Sequence, residues 1–278
     1  MRERSVSAHG DQRIVVEPVP RAAVLAPWWN SWLIGACSGD DLIDAMAAFG
    51  RHVVVDQSGH PEQLIVGLGQ LRSASARPIA DSSSCSPPTA RVVLPVPGDP
   101  LGLPGPATFN QLAVQAGQAV VLDGTATALV PTASANTTVW TVHPVDPDHG
   151  TSAAIAADEA TRAIKSAMLE ATETLASLGP LDNRDEAGRR LRSIDDALTL
   201  LRLPASLPRE RVATALSAVR VLAIVQVATA SQHARATRSE QDAAAGSLLE
   251  LARTARHALA AACNARQSLT QGVANSRR

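Results

Sequence analysis

Residues 212–230 read Val-Ala-Thr-Ala-Leu-Ser-Ala-Val-Arg-Val-Leu-Ala-Ile-Val-Gln-Val-Ala-Thr-Ala. Apart from small hydroxyl residues, only Arg220 and Gln226 interrupt this apolar run. Val212, Leu216, Val219, Ala223, Gln226 and Ala230 step by three or four, the spacing of one helical face. Val221, Leu222, Ile224 and Val225 fill the other faces. The spacing therefore predicts a helix that is apolar nearly all round, and such a helix belongs at the centre of a core. Its length is also that of a membrane span, about 20 residues. Arg220 at its middle would cost about 2.5 kcal/mol or more in lipid, which argues against a spanning role.

The neighbouring segments suit a helical partner. Ile164, Met168, Ala171, Leu175 and Leu178 form one seam, ended by Gly179-Pro180. Ala187, Leu191, Ile194, Leu198 and Leu201 repeat the same steps and stop before Pro204. Ser239 caps a fourth helix, with Leu248, Ala252, Ala255, Leu259 and Ala262 along its seam. Short connections make neighbours antiparallel, so residues 153–266 read as an antiparallel four-helix bundle. The alanines on the seams predict close approach and little internal space. Residues 267–278 read as a frayed tail.

The first 145 residues have another rhythm. Arg13–Val19, Arg51–Asp56 and Arg91–Val96 read as strands, and Gln118–Leu122, Ala126–Val130 and Thr138–Val142 as a meander. Helices are expected at Pro27–Ile34, Asp40–Phe49 behind the N-cap Ser38, Pro61–Leu71 and Ala107–Ala116. Residues 73–90 are rich in Ser and Pro and read as a mobile loop. The fold expected is α+β, a mixed-sheet α/β domain over 1–145 followed by the helical bundle. A hinge over 146–152 separates them.

Asp40-Asp41-Leu42-Ile43-Asp44 spells an Asp-Asp-x-x-Asp cluster, the kind that holds magnesium diphosphates. No second cluster accompanies it, and acids at a helix N-terminus explain it more simply. His143, Asp146, Asp148 and His149 lie within seven residues around the hinge, and imidazoles beside carboxylates can ligate a divalent metal. A Pro-rich linker also collects Asp and Gly as turn formers. Asp99, in the Pro/Gly loop after the third strand, and Asp56, at the end of the second, are the weak candidates for catalysis at the strand ends of an α/β domain. Trp28, Trp29 and Trp32 sit on two faces of one short helix, so they are either core anchors or a partner-facing patch.

Several chemistries are closed. Lys165 is the only lysine, and it follows Ile164 rather than a glycine, so there is no lysine-bearing phosphate loop and no Schiff-base motif beyond that residue. Tyr is absent. Cys37, Cys85 and Cys263 are odd in number and far apart, which suits a reducing compartment. With no secretory signal pattern after Met1, a cytoplasmic protein is expected. Residues 1–150 hold eight basic and thirteen acidic residues, and 151–278 hold seventeen and thirteen. Opposite signs favour docking of the halves, and the spread of positive charge argues against nucleic acid.

No motif spells out a reaction. The reading that follows is a non-catalytic binding or scaffolding protein, acting through protein contacts and self-association. The alternative is a small-molecule-binding or metal-dependent enzyme with its site at the strand ends of the N-terminal domain.

Overall fold

The computed structural model describes residues 19–75, 89–100, 102–123, 125–146, 157–177, 184–231 and 238–264. The expected strand at 13–19, apart from Val19, most of the 73–90 loop, all of the hinge but Asp146, and the tail lie outside them.

The first helix, α1 (Arg21–Leu33), begins six residues earlier than its proline suggests, with Pro27 inside it. Ala22 to Ala26 are all buried, and their packing holds the extra turn. A proline has no N–H for the carbonyl four residues back. Here that carbonyl belongs to Ala23, and the buried Cys263 thiol donates to it at 3.4 Å. The N-cap, Pro20, offers no side chain. Gln118 Oε1 accepts from the Ala22 N–H at 3.0 Å instead. Next, α2 (Gly39–Met46) opens on the expected Ser38, with Asp41 completing a capping box.

Strand β1 (Arg51–Val55) turns into β2 (Pro61–Gln63), and α3 (Leu64–Ser75) follows. The helix expected from Pro61 thus loses its first three residues to an edge strand, where a proline is tolerated. Gly67 of α3 lies against β1, and a Cβ there would fall 2.5 Å from Val54 Cβ. Val54 is buried, so it has no room to give. Gly67→Ala is expected to cost about 1–3 kcal/mol, as overpacking does, read as a lower urea midpoint. An unchanged midpoint would mean that α3 and β1 are not this close.

Strands β3 (Ala90–Val93), β4 (Ala119–Leu122), β5 (Thr127–Ser134) and β6 (Thr137–Pro144) complete the sheet, and α4 (Ala107–Ala116) joins β3 to β4. The order is β2-β1-β6-β5-β4-β3. Only β1 with β6 is parallel, so the sheet is mixed as expected. The break expected at Pro131–Asn136 is corrected. Strand β5 runs through Pro131 to Ser134, and the turn is Ala135-Asn136. Pro131 is tolerated because it lies past Leu129, the last residue of β5 that β4 pairs with.

Side chains alternate across the sheet. Val93, Val121, Ala128 and Val130 point to one face, under Phe109 and Ala113 of α4. Val92, Val120, Leu122 and Leu129 point to the other, where α1 and the helical half form the main core.

The helical half comprises α5 (Ala157–Ser177), α6 (Arg184–Leu200), α7 (Arg209–Ser231) and α8 (Arg238–Cys263). As its pattern predicts, α7 is central. It packs against α5, α6 and α8, and Ala218, Val219, Val221, Leu222 and Ala223 are all buried. Among the described residues α7 is the one helix long and apolar enough to cross a membrane. Most of it is buried in the protein, and Arg220 is exposed. One continuous apolar cluster runs from Leu25 and Trp29 of α1 to Leu222 of α7 and Leu259 of α8.

Candidate functional site

Strand β4 is shorter than β5, so β5 continues past it with an open flank. A cleft of about 760 Å³ occupies that space. Val130 to Ala133 of β5 form its floor, with Thr141 and His143 of β6 beside them. The last turns of α4 supply Leu112, Gln115 and Ala116. Arg21 enters from the start of α1, Gln118 from the residue before β4, and Gln226 from α7. Both halves of the chain therefore contribute to one concave surface, a usual place for ligands.

The polar groups are held in place. Gln118 is buried and tied to the α1 N-terminus through Ala22. The Arg21 guanidinium lies over the Phe49 ring at 5.4 Å. The His143 ring lies 6.3 Å from Phe109, and burial lowers its pKa, which favours the neutral ring. No acidic residue lines the cleft among the described residues.

A second histidine, His52 of β1, is buried beside β6. Its Nε2 lies 2.9 Å from the Met46 carbonyl, and Nδ1 accepts from Trp140 Nε1 at 3.1 Å. With Nδ1 an acceptor, Nε2 carries the proton and donates. Burial, the largest cause, pushes its pKa below 6.5, opposed by the Met46 bond and aided by Arg21. Because the folded ring binds its proton less readily than the unfolded one, its stabilisation is present above about pH 6.5 and is lost as pH falls. An NMR titration is expected to show His52 protonating below pH 6.5, with the urea midpoint dropping over the same range. Protonation above pH 6.5 would contradict this geometry.

The catalytic candidates do not share a site. Asp99 is presented by the turn Val96-Pro97-Gly98-Asp99, closed by backbone bonds in both directions between Val96 and Asp99, with Gly98 at φ +82°. Its Oδ2 accepts from His257 Nε2 at 2.9 Å and Arg256 Nη2 at 3.2 Å, and Arg253 Nε lies 3.8 Å away. Asp99 and Arg256 are nearly buried, so this ion pair clamps the loop to α8. Burial lowers the Arg256 pKa and Asp99 raises it. Asp56 caps its own turn, accepting from the N–H groups of Ser58 and His60. The two carboxylates belong to opposite ends of the strand order, and neither lines the cleft.

Of the metal candidates, His143 lines the cleft, and Asp146 is exposed beside Gly105. Asp148 and His149 lie outside the described residues. Among the described residues, no group of three or more His, Cys, Asp or Glu is placed to hold a metal ion.

The tryptophan patch is corrected for Trp29, which is 1% exposed because it lies on the buried side of α1, within the main apolar cluster. Trp28 is partly buried and donates to the Arg202 carbonyl at 2.8 Å. Trp32 lies edge-on to Trp29 and under Arg72.

Sequence reasoning did not single out Arg21, Gln118, Arg256 or His257. A signal existed for one of them, since Arg256 falls on the same stripe of α8 as Ala252 and Leu259.

The chain is thus an α+β protein whose sheet and helical layer share a core and a cleft. In sequence, residues 22–154 match the N-terminal domain of the Rv1486c-like proteins, and residues 158–260 match their C-terminal domain. The two matches run in order over most of the chain, which belongs to that family. It is 31% identical over 120 residues to Rv1486c of Mycobacterium tuberculosis (strain ATCC 25618 / H37Rv), covering 38% of this chain and 42% of that protein. It is 34% identical over 132 residues to a protein of Mycobacterium leprae (strain TN), covering 38% and 43%. Both relatives carry the description "uncharacterized protein". The chain spans less than half the length of these relatives. No solved structure matches it.

Proposed function

We propose that the chain is a non-catalytic binding protein that takes a small molecule bearing one acidic group into the cleft beside β5. The observation that carries this is the lining, with Arg21 and several amide side chains converging from both halves and no acid among the described residues. An arginine to carboxylate bond is charge-assisted and worth about 1.5–3 kcal/mol, while Gln115 and Gln226 can donate to or accept from the rest of the ligand. His143, kept neutral by burial, can do either. The free thiols Cys37 and Cys263 accord with a cytoplasmic setting. Burial pushes Cys263 up to about 12, so it stays a thiol.

The test is a thermal-shift titration of the purified chain with a panel of aliphatic and aromatic monocarboxylates. At least one is expected to raise Tm. Arg21→Gln should weaken that response about tenfold or more, since 1.4 kcal/mol is a factor of ten. Thr132→Trp, which fills the cleft, should abolish it. A panel with no effect, or an effect untouched by Thr132→Trp, would sink the proposal.

One observation favours a second reading, self-association through the helical half. Leu169 of α5 is 70% exposed and Leu249 of α8 is 60% exposed. Thr161 meets Thr214, and Arg211 meets the Ala261 carbonyl. Counting along the helices from those contacts puts the two leucines at the same height. Sedimentation equilibrium should then show a dimer that Leu169→Glu and Leu249→Glu dissociate, and a wild-type monomer would remove this reading.

A further inference from the structure

The outer edge of β3 meets side chains where a further strand would lie. β3 pairs with β4 on its inner side. Alternate residues of a strand turn their backbone groups to opposite sides, so Ala90, Val92 and Leu94 share the outer one. Each of the three is met in turn. Asn30 of α1 donates to the Ala90 carbonyl at 2.9 Å and accepts from the Ala90 N–H at 2.7 Å. Asn264, which follows α8, donates to the Val92 carbonyl at 2.8 Å and accepts from the Val92 N–H at 2.7 Å. Arg256 Nη1 reaches the Leu94 carbonyl at 3.4 Å, while its Nη2 bonds Asp99 beyond the turn.

A carboxamide carries one acceptor oxygen and an N–H donor, the same pair a peptide group offers. Two asparagines placed two residues apart along the strand repeat what a neighbouring strand would present. An open edge is a template for another chain, and covering it is a known protection.

We propose that Asn30, Asn264 and Arg256 are a seventh strand in side-chain form, and that Asn264 and Arg256 make the closure of β3 depend on the helical half being docked. Asn30 is supplied by the N-terminal half itself, whereas the other two come with α8. Undocking of α8 therefore opens the edge at Val92 and Leu94 while Ala90 stays covered.

Amide hydrogen exchange on the full chain, followed by NMR, tests this. In Asn264→Ala the Val92 amide should exchange at least tenfold faster while Ala90 is unchanged. In Asn30→Ala the effect should reverse. The amides of β4 and β5 should be unchanged in both variants, which separates a lost hydrogen bond from a loosened fold. The proposal is overturned if Val92 is unmoved in Asn264→Ala, or if Ala90, Val92 and the amides of β4 and β5 all accelerate together.

Discussion

Replacing Asp99 with alanine is expected to lower stability by about 3 kcal/mol, far more than loss of an ordinary surface carboxylate. Arg256 is 10% exposed at its side chain and Asp99 14%. Removing the acid leaves a buried guanidinium with only the Ala252 and Leu94 carbonyls as partners, and breaking a buried pair from one side typically costs 3–5 kcal/mol. His257 loses its acceptor, and Arg253 the carboxylate 3.8 Å away. The contrast is Asp123, whose pair with Arg91 leaves the acid 45% exposed. Asp123→Ala should cost about 1 kcal/mol or less. Urea unfolding of the two variants side by side measures the difference, and equal losses would mean that Asp99 is not a clamp.

Leu222→Ala should cost about 3 kcal/mol. Leu222 is fully buried in α7, and deleting such a side chain removes its transfer energy and leaves a cavity. The more informative part is where the loss is felt. All four tryptophans precede residue 141, so their fluorescence reports the N-terminal half, whereas helical circular dichroism reports mainly the C-terminal half. The apolar cluster crosses between them. Both signals should therefore shift to lower urea together in Leu222→Ala. A helical transition that moves while the tryptophan transition stays would show two separate cores.

The long periodic segments were legible in the sequence. α7 announces itself by being apolar on every face, α4 has the expected bounds, and Ser38 caps α2 as its sequence suggests. Local rules failed where tertiary contacts take over. Nothing near Pro27 says that a thiol 236 residues later will take up the carbonyl it leaves open, so the start of α1 was hidden. Pro131 reads as a strand breaker until the short β4 is known. The site was less legible than the fold. Arg21, Gln118, His143 and Gln226 come from four segments that no motif links, and only packing of the helical half on the sheet brings them together. Asp99 looked chemical because it stands alone in a proline loop, yet its partners lie on a helix more than 150 residues away.

Native mass spectrometry of the chain purified from cells, followed by a denaturing spray, tests the ligand-binding role most directly. The expected result is a small acidic molecule bound one to one, lost on denaturation and absent from Thr132→Trp. An identical mass in both sprays, or the same adduct on Thr132→Trp, would contradict a ligand site beside β5.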